Sequence, residues 1–222
     1  GNKFQNLFDM KNALLCYKRI IEIYKDQNIK KNETLYLAQS QAGKIYGFLG
    51  ETDKSISLFT SLIDNKDKIS KTILSKIYLY LGDVYENKRE NDLSLENYNN
   101  SYELSKEIGD NDLSAELNRC IGIVMMNTGR FDESLDYYKK HMNYFLNKKN
   151  KIQIATVSGN IGLIHFHQGK LEDSYKFFEK QYQICKELDS KQLLQHALGN
   201  MALIDNITVS YTHLTLPTIS CV

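Results

Sequence analysis

Small and apolar residues recur along this chain at helical spacing, in runs broken by short polar turns. Ser158, Ile161, Gly162 and His165 follow the i, i+3, i+4, i+7 spacing of one helix face. Gly169 follows as a left-handed turn residue, and a second helix is predicted from about Leu171 to Leu188, with Ser174 and Phe178 on one face. The unit is therefore a helical hairpin. It repeats when "SQAGKIYGFLGETDKSISLF", "LYLGDVYENKRENDLSLENY" and "NRCIGIVMMNTGRFDESLDYY" are set against "SGNIGLIHFHQGKLEDSYKFF". A small residue recurs at Gly43, Gly82, Gly122, Gly162 and Ala202, in steps of 39, 40, 40 and 40. Twelve positions after the first four stand Ser55, Ser94, Ser134 and Ser174, and four further on Phe59, Tyr98, Tyr138 and Phe178. Gly1, Ala13 and Tyr17 obey the same rule.

Glycine in a helix interior costs about 1 kcal/mol. Four of them at one repeating position imply a compensating close approach of helices, with the aromatic residue filling the space between neighbouring hairpins. Turn glycines stand at Gly50, Gly129 and Gly169, while Phe8 and Arg89 occupy the equivalent positions of the first and third units. The spacing predicts units at about 1–30, 31–70, 71–110, 111–150 and 151–190, and a partial one at 191–207.

The last residues break this pattern. "VSYTHLTLPT" carries no charge and holds the chain's single proline, Pro217. It resembles the translation of a transposon-end sequencing adapter, GTC TCT TAT ACA CAT CTG ACG CTG CCG ACG, which encodes Val209 to Thr218 in order. The two preceding adapter bases fit Thr208. A short index accounts for Ser220 and Cys221 and shares Ile219, and a final GTG before a stop codon gives Val222. Residues 208–222 are thus expected to be a non-native, adapter-derived tail, and residues 1–207 an internal fragment of a longer protein. The alternative is a genuine edge strand. Without the tail no proline remains, against roughly ten at average usage, which suits an all-helical chain.

The small–aromatic columns resemble the tetratricopeptide repeat over residues 1–206, with "SGNIGLIHFHQGKLEDSYKFFEKQ" the closest stretch. The period near 40 and the missing helix-ending proline resemble the long-helix subclass found in kinesin light chains, spindle-orientation adaptors and bacterial peptide-sensing regulators. The resemblance implies an all-α, right-handed superhelical solenoid of antiparallel helical hairpins, first helices lining the concave side. Neighbours must stack, because one hairpin cannot bury its apolar face alone.

Helix geometry then names the groove face as the residues turned away from the packed column. Successive units offer Leu37, Gln41, Lys44 and Phe48; Lys76, Tyr80, Asp83 and Asn87; Glu116, Cys120, Ile123 and Asn127; Thr156, Asn160, Leu163 and His167; and His196, Asn200 and Leu203. Ile123, Leu163 and Leu203 are equivalent, and an aliphatic row on an outward face suggests an apolar ligand contact. The other reading buries them against adjacent helices. Asn160 and Asn200 are equivalent too. A side-chain amide both donates to and accepts from an extended peptide, and Asn here resembles the peptide-holding residue of the subclass. The competing reading has both amides bonding only water or a neighbouring repeat. Lys44, Tyr80, Asp83, Asn87 and Asn127 complete the candidate peptide-binding set. Lys76 and Arg119 are too few for a carboxylate clamp.

Composition narrows the function classes. A net charge of +1 argues against a general grip on nucleic acid or acidic lipid. No apolar run nears the roughly 18 residues of a membrane span. The four cysteines, Cys16, Cys120, Cys185 and Cys221, are scattered and read as buried free thiols of a reducing compartment. A cytoplasmic protein is expected from these and from the lack of an export signal. His165 and His167 point to different helix faces and cannot chelate one ion, and His165 falls in a column with Phe4, Tyr46 and Tyr85, so it is expected in the core. No phosphate loop, nucleophile elbow or zinc spacing appears. We expect neither enzyme activity nor a cofactor. The expectation is a scaffold that binds a partner protein or peptide in its groove, with self-association through the severed array ends. The alternative is a regulatory or sensor domain of a larger signalling protein.

Overall fold

A computed structural model describes the backbone of residues 2–27 and 32–215 and the side chains of residues 8–27 and 32–205. The described residues form ten α-helices, with no strand: α1 (Asn2–Asp26), α2 (Glu33–Phe48), α3 (Thr52–Ile63), α4 (Lys71–Asn87), α5 (Asn91–Glu107), α6 (Asn111–Asn127), α7 (Phe131–Asn147), α8 (Lys151–His167), α9 (Leu171–Glu187) and α10 (Lys191–Thr215). One turn of 3-10 helix, Lys66–Lys68, follows the short α3. First helices begin at residues 71, 111, 151 and 191, and second helices at 91, 131 and 171, forty apart in each case. The fold class is all-α, as the column pattern predicts.

Local chemistry sets the helix ends. Side chains at 110, 150 and 190, one period apart, sit at first-helix N-termini. Asp110 accepts from the Leu113 amide, Asn150 from the Gln153 amide and Ser190 from the Leu193 amide, at 3.0, 3.2 and 3.5 Å. Each satisfies a backbone donor that has no partner inside the helix. Turns close in the left-handed region at Gly50, Arg89, Gly129 and Gly169 within hairpins, and at Gly109, Lys149 and Asp189 between them. Arg89 thus makes the turn predicted for its position although it is not glycine. Phe8 does not: α1 continues through it, so the first unit supplies one helix and no hairpin. Phe8 needs no left-handed backbone inside a regular helix, and its ring is 65% exposed.

The chain divides into two units, Gly1–Val124 and Met125–Val222. In the first, α2 packs on α1, α3 and α4, and α4 on α3 and α5. Its core gathers Tyr36, Phe59, Leu62, Ile73, Ile77 and Leu81. In the second, α8 packs on α7 and α9, and α10 on α9 and α8, around Ala155, Cys185 and Ala197.

Within three hairpins the glycine column does what the sequence demands. A β-carbon would fall 2.7 Å from Phe59 Cε1 if placed on Gly43, 2.5 Å from Tyr98 Cδ1 on Gly82, and 2.5 Å from Phe178 Cδ1 on Gly162. The ring therefore lies directly on the backbone of the first helix. Burying such a side chain is worth roughly 1.5–3 kcal/mol, which outweighs the glycine's cost. The serine column is more than small. Ser55, Ser94 and Ser174 donate their hydroxyls to the carbonyls of Gly43, Gly82 and Gly162, at 2.7, 3.0 and 2.8 Å. One side chain per hairpin thus ties the second helix to the first.

The backbone of α10 is helical to Thr215, so residues 208–215 of the tail do not form the alternative strand. The remainder of the tail, including Pro217 and Cys221, lies outside the described residues. Cys16 is exposed, unlike the buried Cys120 and Cys185: it sits on the outer side of α1, which has only one face packed.

Candidate functional site

Four of the candidate residues come together in the first unit. Lys44, Tyr80, Asp83 and Asn87 line one pocket with Gly47, Phe48 and Val84. Helices α2 and α4 bring them there. Gly47 allows the close pass, since a β-carbon on it would lie 3.0 Å from Val84 Cγ2. The Lys44 ammonium stands 4.8 Å from the Tyr80 ring centre and 5.8 Å from that of Phe48, a cation held by two ring faces.

Asp83 is the carboxylate among the residues lining this pocket. Its Oδ1 lies 2.8 Å from the Tyr98 hydroxyl, which is also 2.8 Å from Glu86 Oε2. Burial raises the Asp83 carboxyl to about 6, and the Glu86 charge adds to the rise. The Tyr98 hydrogen bond and the Arg119 charge oppose it. Burial likewise pushes the Tyr98 phenol far up, so it remains a donor. Arg119 itself donates to Glu116 Oε1 through Nε and Nη2, at 3.1 and 2.6 Å. Ile123 is half-buried on α6. Cys120, placed on the groove face by the helical register, is only 2% exposed. Its thiol is held protonated by burial, and it offers nothing to a ligand.

In the second unit, Asn160 and Leu163 are half-buried on α8, and Asn200 is half-buried on α10. Leu203 is 39% exposed, and Asn127 is exposed at the end of α6. The Asn200 amide nitrogen donates to Gln181 Oε1 at 2.9 Å, so one of its polar groups is spent on the neighbouring helix. Gln181 itself lies against Gly159, where a β-carbon would be 2.7 Å from Gln181 Nε2. Sequence reasoning missed this linkage, although Gly159 beside Gly162 was a visible signal of close approach. Thr156 bonds back to the Ile152 carbonyl at 3.0 Å, and His167 stacks on Phe131 at 6.0 Å.

His165 is half-buried rather than fully in the core, stacked on Phe177 at 5.5 Å. Burial lowers its pKa below the usual imidazole value, which keeps it neutral. Among the described residues, no group of three or more His, Cys, Asp or Glu could hold a metal ion, and no helix is long and apolar enough to cross a membrane.

No described protein family matches the chain, and neither does any curated protein. Solved structures do. A putative kinesin light chain from Podosopora anserina with TPR-like repeats aligns at TM-score 0.69 and 9% identity, over 85% of this chain and 92% of that one. YrrB, described as a TPR protein with an unusual peptide-binding site, aligns at TM-score 0.57 and 18% identity, over 89% and 88%. A signal transduction ATPase with a tetratricopeptide repeat sensor, PH0952 from Pyrococcus horikoshii, aligns at TM-score 0.73 and 12% identity, over 85% of this chain but 30% of that one. Together with the glycine–aromatic columns and the forty-residue hairpins, these likenesses give the chain the fold of the tetratricopeptide-type helical repeats.

Proposed function

We propose that the chain is a non-catalytic interaction scaffold, and that the outward face of its first helices holds a segment of a partner protein. The observation that carries this is the pocket of Lys44, Tyr80, Asp83 and Asn87, four residues of one face drawn together from two first helices. In the second unit, taken by itself, partly exposed Asn160, Leu163, Asn200 and Leu203 hold the equivalent positions of their own first helices. Amide side chains supply backbone hydrogen bonds and aliphatic ones supply buried area, the division of labour of extended-peptide recognition. The likeness to a repeat protein with a peptide-binding site supports this reading. Asn200 keeps its carbonyl oxygen for a ligand while its nitrogen holds Gln181.

The test is selection of peptides from a random display library against the chain. Binding of the selected peptides is then measured to the Asn160→Ala, Asn200→Ala double variant. Affinity should fall about tenfold or more with helicity unchanged. Unaltered affinity would remove the amides from the site.

A second reading makes the array a sensor domain of a larger signalling protein. It is favoured by the match to a signal transduction protein with a tetratricopeptide repeat sensor, of which the alignment covers 30%. Residues 1–207 would then be the array and 208–222 the adapter-derived segment. Reading the gene on both sides of this segment separates the two.

A further inference from the structure

We infer that the pocket between α2 and α4 receives an arginine side chain of the partner segment, with Asp83 as its counter-ion and Phe48 as its stacking face. This rests on the groove reading above and names the chemistry of one subsite within it.

The pocket holds one cation and one anion of its own, but they are not equally satisfied. Lys44 is covered by two ring faces. Asp83 shares the single phenolic proton of Tyr98 with Glu86, and one hydroxyl can donate to only one carboxylate at a time. The cation on α6 that acts on Asp83, Arg119, is hydrogen-bonded to Glu116. Around Asp83, Glu86 and Glu116 add negative charge and Arg119 alone opposes it, so the carboxylate lining the pocket lies in an excess of negative charge. The raised carboxyl of Asp83 has the same origin, burial without a sufficient counter-charge.

The rim supplies the second half of the fit. Phe48 is 63% exposed, so although Lys44 approaches its ring at 5.8 Å most of that aromatic surface still meets solvent at the pocket that Asp83 also lines. A guanidinium is planar, stacks on aromatic rings and pairs with a carboxylate through a fixed fork of donors. An ammonium satisfies only the charge. Asn87, which lines the same pocket, adds a neutral side-chain amide for the remaining guanidinium donors. An anionic guest would have only Lys44 to meet and would stand against Asp83.

The experiment uses the full chain, labelled with nitrogen-15, and two blocked pentapeptides, Ala-Ala-Arg-Ala-Ala and its citrulline counterpart, which has the same shape without the charge. Titration with the arginine peptide should shift the amides of Lys44, Phe48, Tyr80, Asp83 and Asn87. The citrulline peptide should bind at least tenfold more weakly. Asp83→Asn should cost the arginine peptide at least tenfold, whereas Lys44→Met, which removes a repelling charge, should strengthen it severalfold. Binding should tighten as pH rises from 5 to 7.5, with Asp83 passing to its ionised form.

Equal binding of the two peptides would overturn the inference, as would an Asp83→Asn variant of unchanged affinity. Weakening by Lys44→Met would show that the pocket prefers an anion, and would overturn it as well. Because Asp83→Asn also touches the Tyr98 hydroxyl, Phe48→Ala serves as a second variant at an exposed position. It should leave the melting temperature alone and weaken the arginine peptide severalfold, and unchanged binding would overturn the stacking role. The amide reading fails alone if the Asn160→Ala, Asn200→Ala pair spares the selected peptides while the arginine probe still follows Asp83. The reverse result sinks this inference and leaves the groove standing.

Discussion

Phe178 packs against the stretch of α8 where Gly162 has no side chain, so that even one added methyl group would overlap its ring. Replacement by alanine sets two effects against each other. Alanine gains about 1 kcal/mol of helix propensity, while overpacking a filled core costs roughly 1–3 kcal/mol. The clash wins, because the ring is fully buried and cannot swing away. Gly162→Ala should lower the urea midpoint by circular dichroism. Gly199→Ala, on α10 with nothing within 4 Å of the added carbon, should raise it.

Ser174→Ala should destabilise by about 1 kcal/mol, the net value of a hydrogen bond. It removes the side-chain bond from α9 to the Gly162 carbonyl. Ser158 is equally buried, but its hydroxyl returns to the Ile154 carbonyl of its own helix at 2.8 Å. Such back-bonding contributes little to stability, so Ser158→Ala should be nearly neutral in the same measurement.

Arg89 and Lys149 hold backbone φ angles of 61° and 54°. A left-handed backbone costs a residue with a β-carbon about 1–2 kcal/mol, and glycine returns about half of that as unfolded-chain entropy. Arg89→Gly and Lys149→Gly should each stabilise by roughly 0.5–1 kcal/mol. Gly169→Ala, at φ 74°, should lose about 1 kcal/mol. Thermal melts of the three variants check the signs.

Asp83 gives the fold a pH dependence of unusual sign. Its carboxyl rises from 3.8 to about 6 on folding, so between those values the folded chain binds more protons than the unfolded one. Stability therefore falls as pH rises from about 4 to about 6 and stays reduced above that. The cost at neutral pH is on the order of 1–3 kcal/mol. Asp83→Asn keeps an acceptor for Tyr98 and removes the charge. Its urea midpoint should exceed that of the parent chain at pH 7, and the gap should close by pH 4.

That four of the candidate residues share one pocket was legible in one helix register. The turn of α4 that buries Ile77 and Leu81 leaves Tyr80, Asp83 and Asn87 on the opposite side, and the same register on α2 leaves Lys44 there. Cys120 broke the rule because a column is not a solvent boundary. Its side chain is 2% exposed, with Arg119 Nη2 3.5 Å from its sulfur. Phe8 broke the turn rule for the opposite reason: equivalent spacing does not by itself stop a helix, and that position carries no residue that must.

The sequence by itself determined the hairpin, its forty-residue period and the faces that must be buried. Helix periodicity, glycine's missing side chain and aromatic bulk are local properties that repeat with the residues. Only the tertiary structure decided that the serines are hydrogen-bond donors, that Asn200 spends its nitrogen on Gln181, and that Tyr98 divides one proton between Asp83 and Glu86. Those are matters of charge and polarity between groups 12 to 19 residues apart, and their outcome depends on how deeply neighbouring helices exclude water from them.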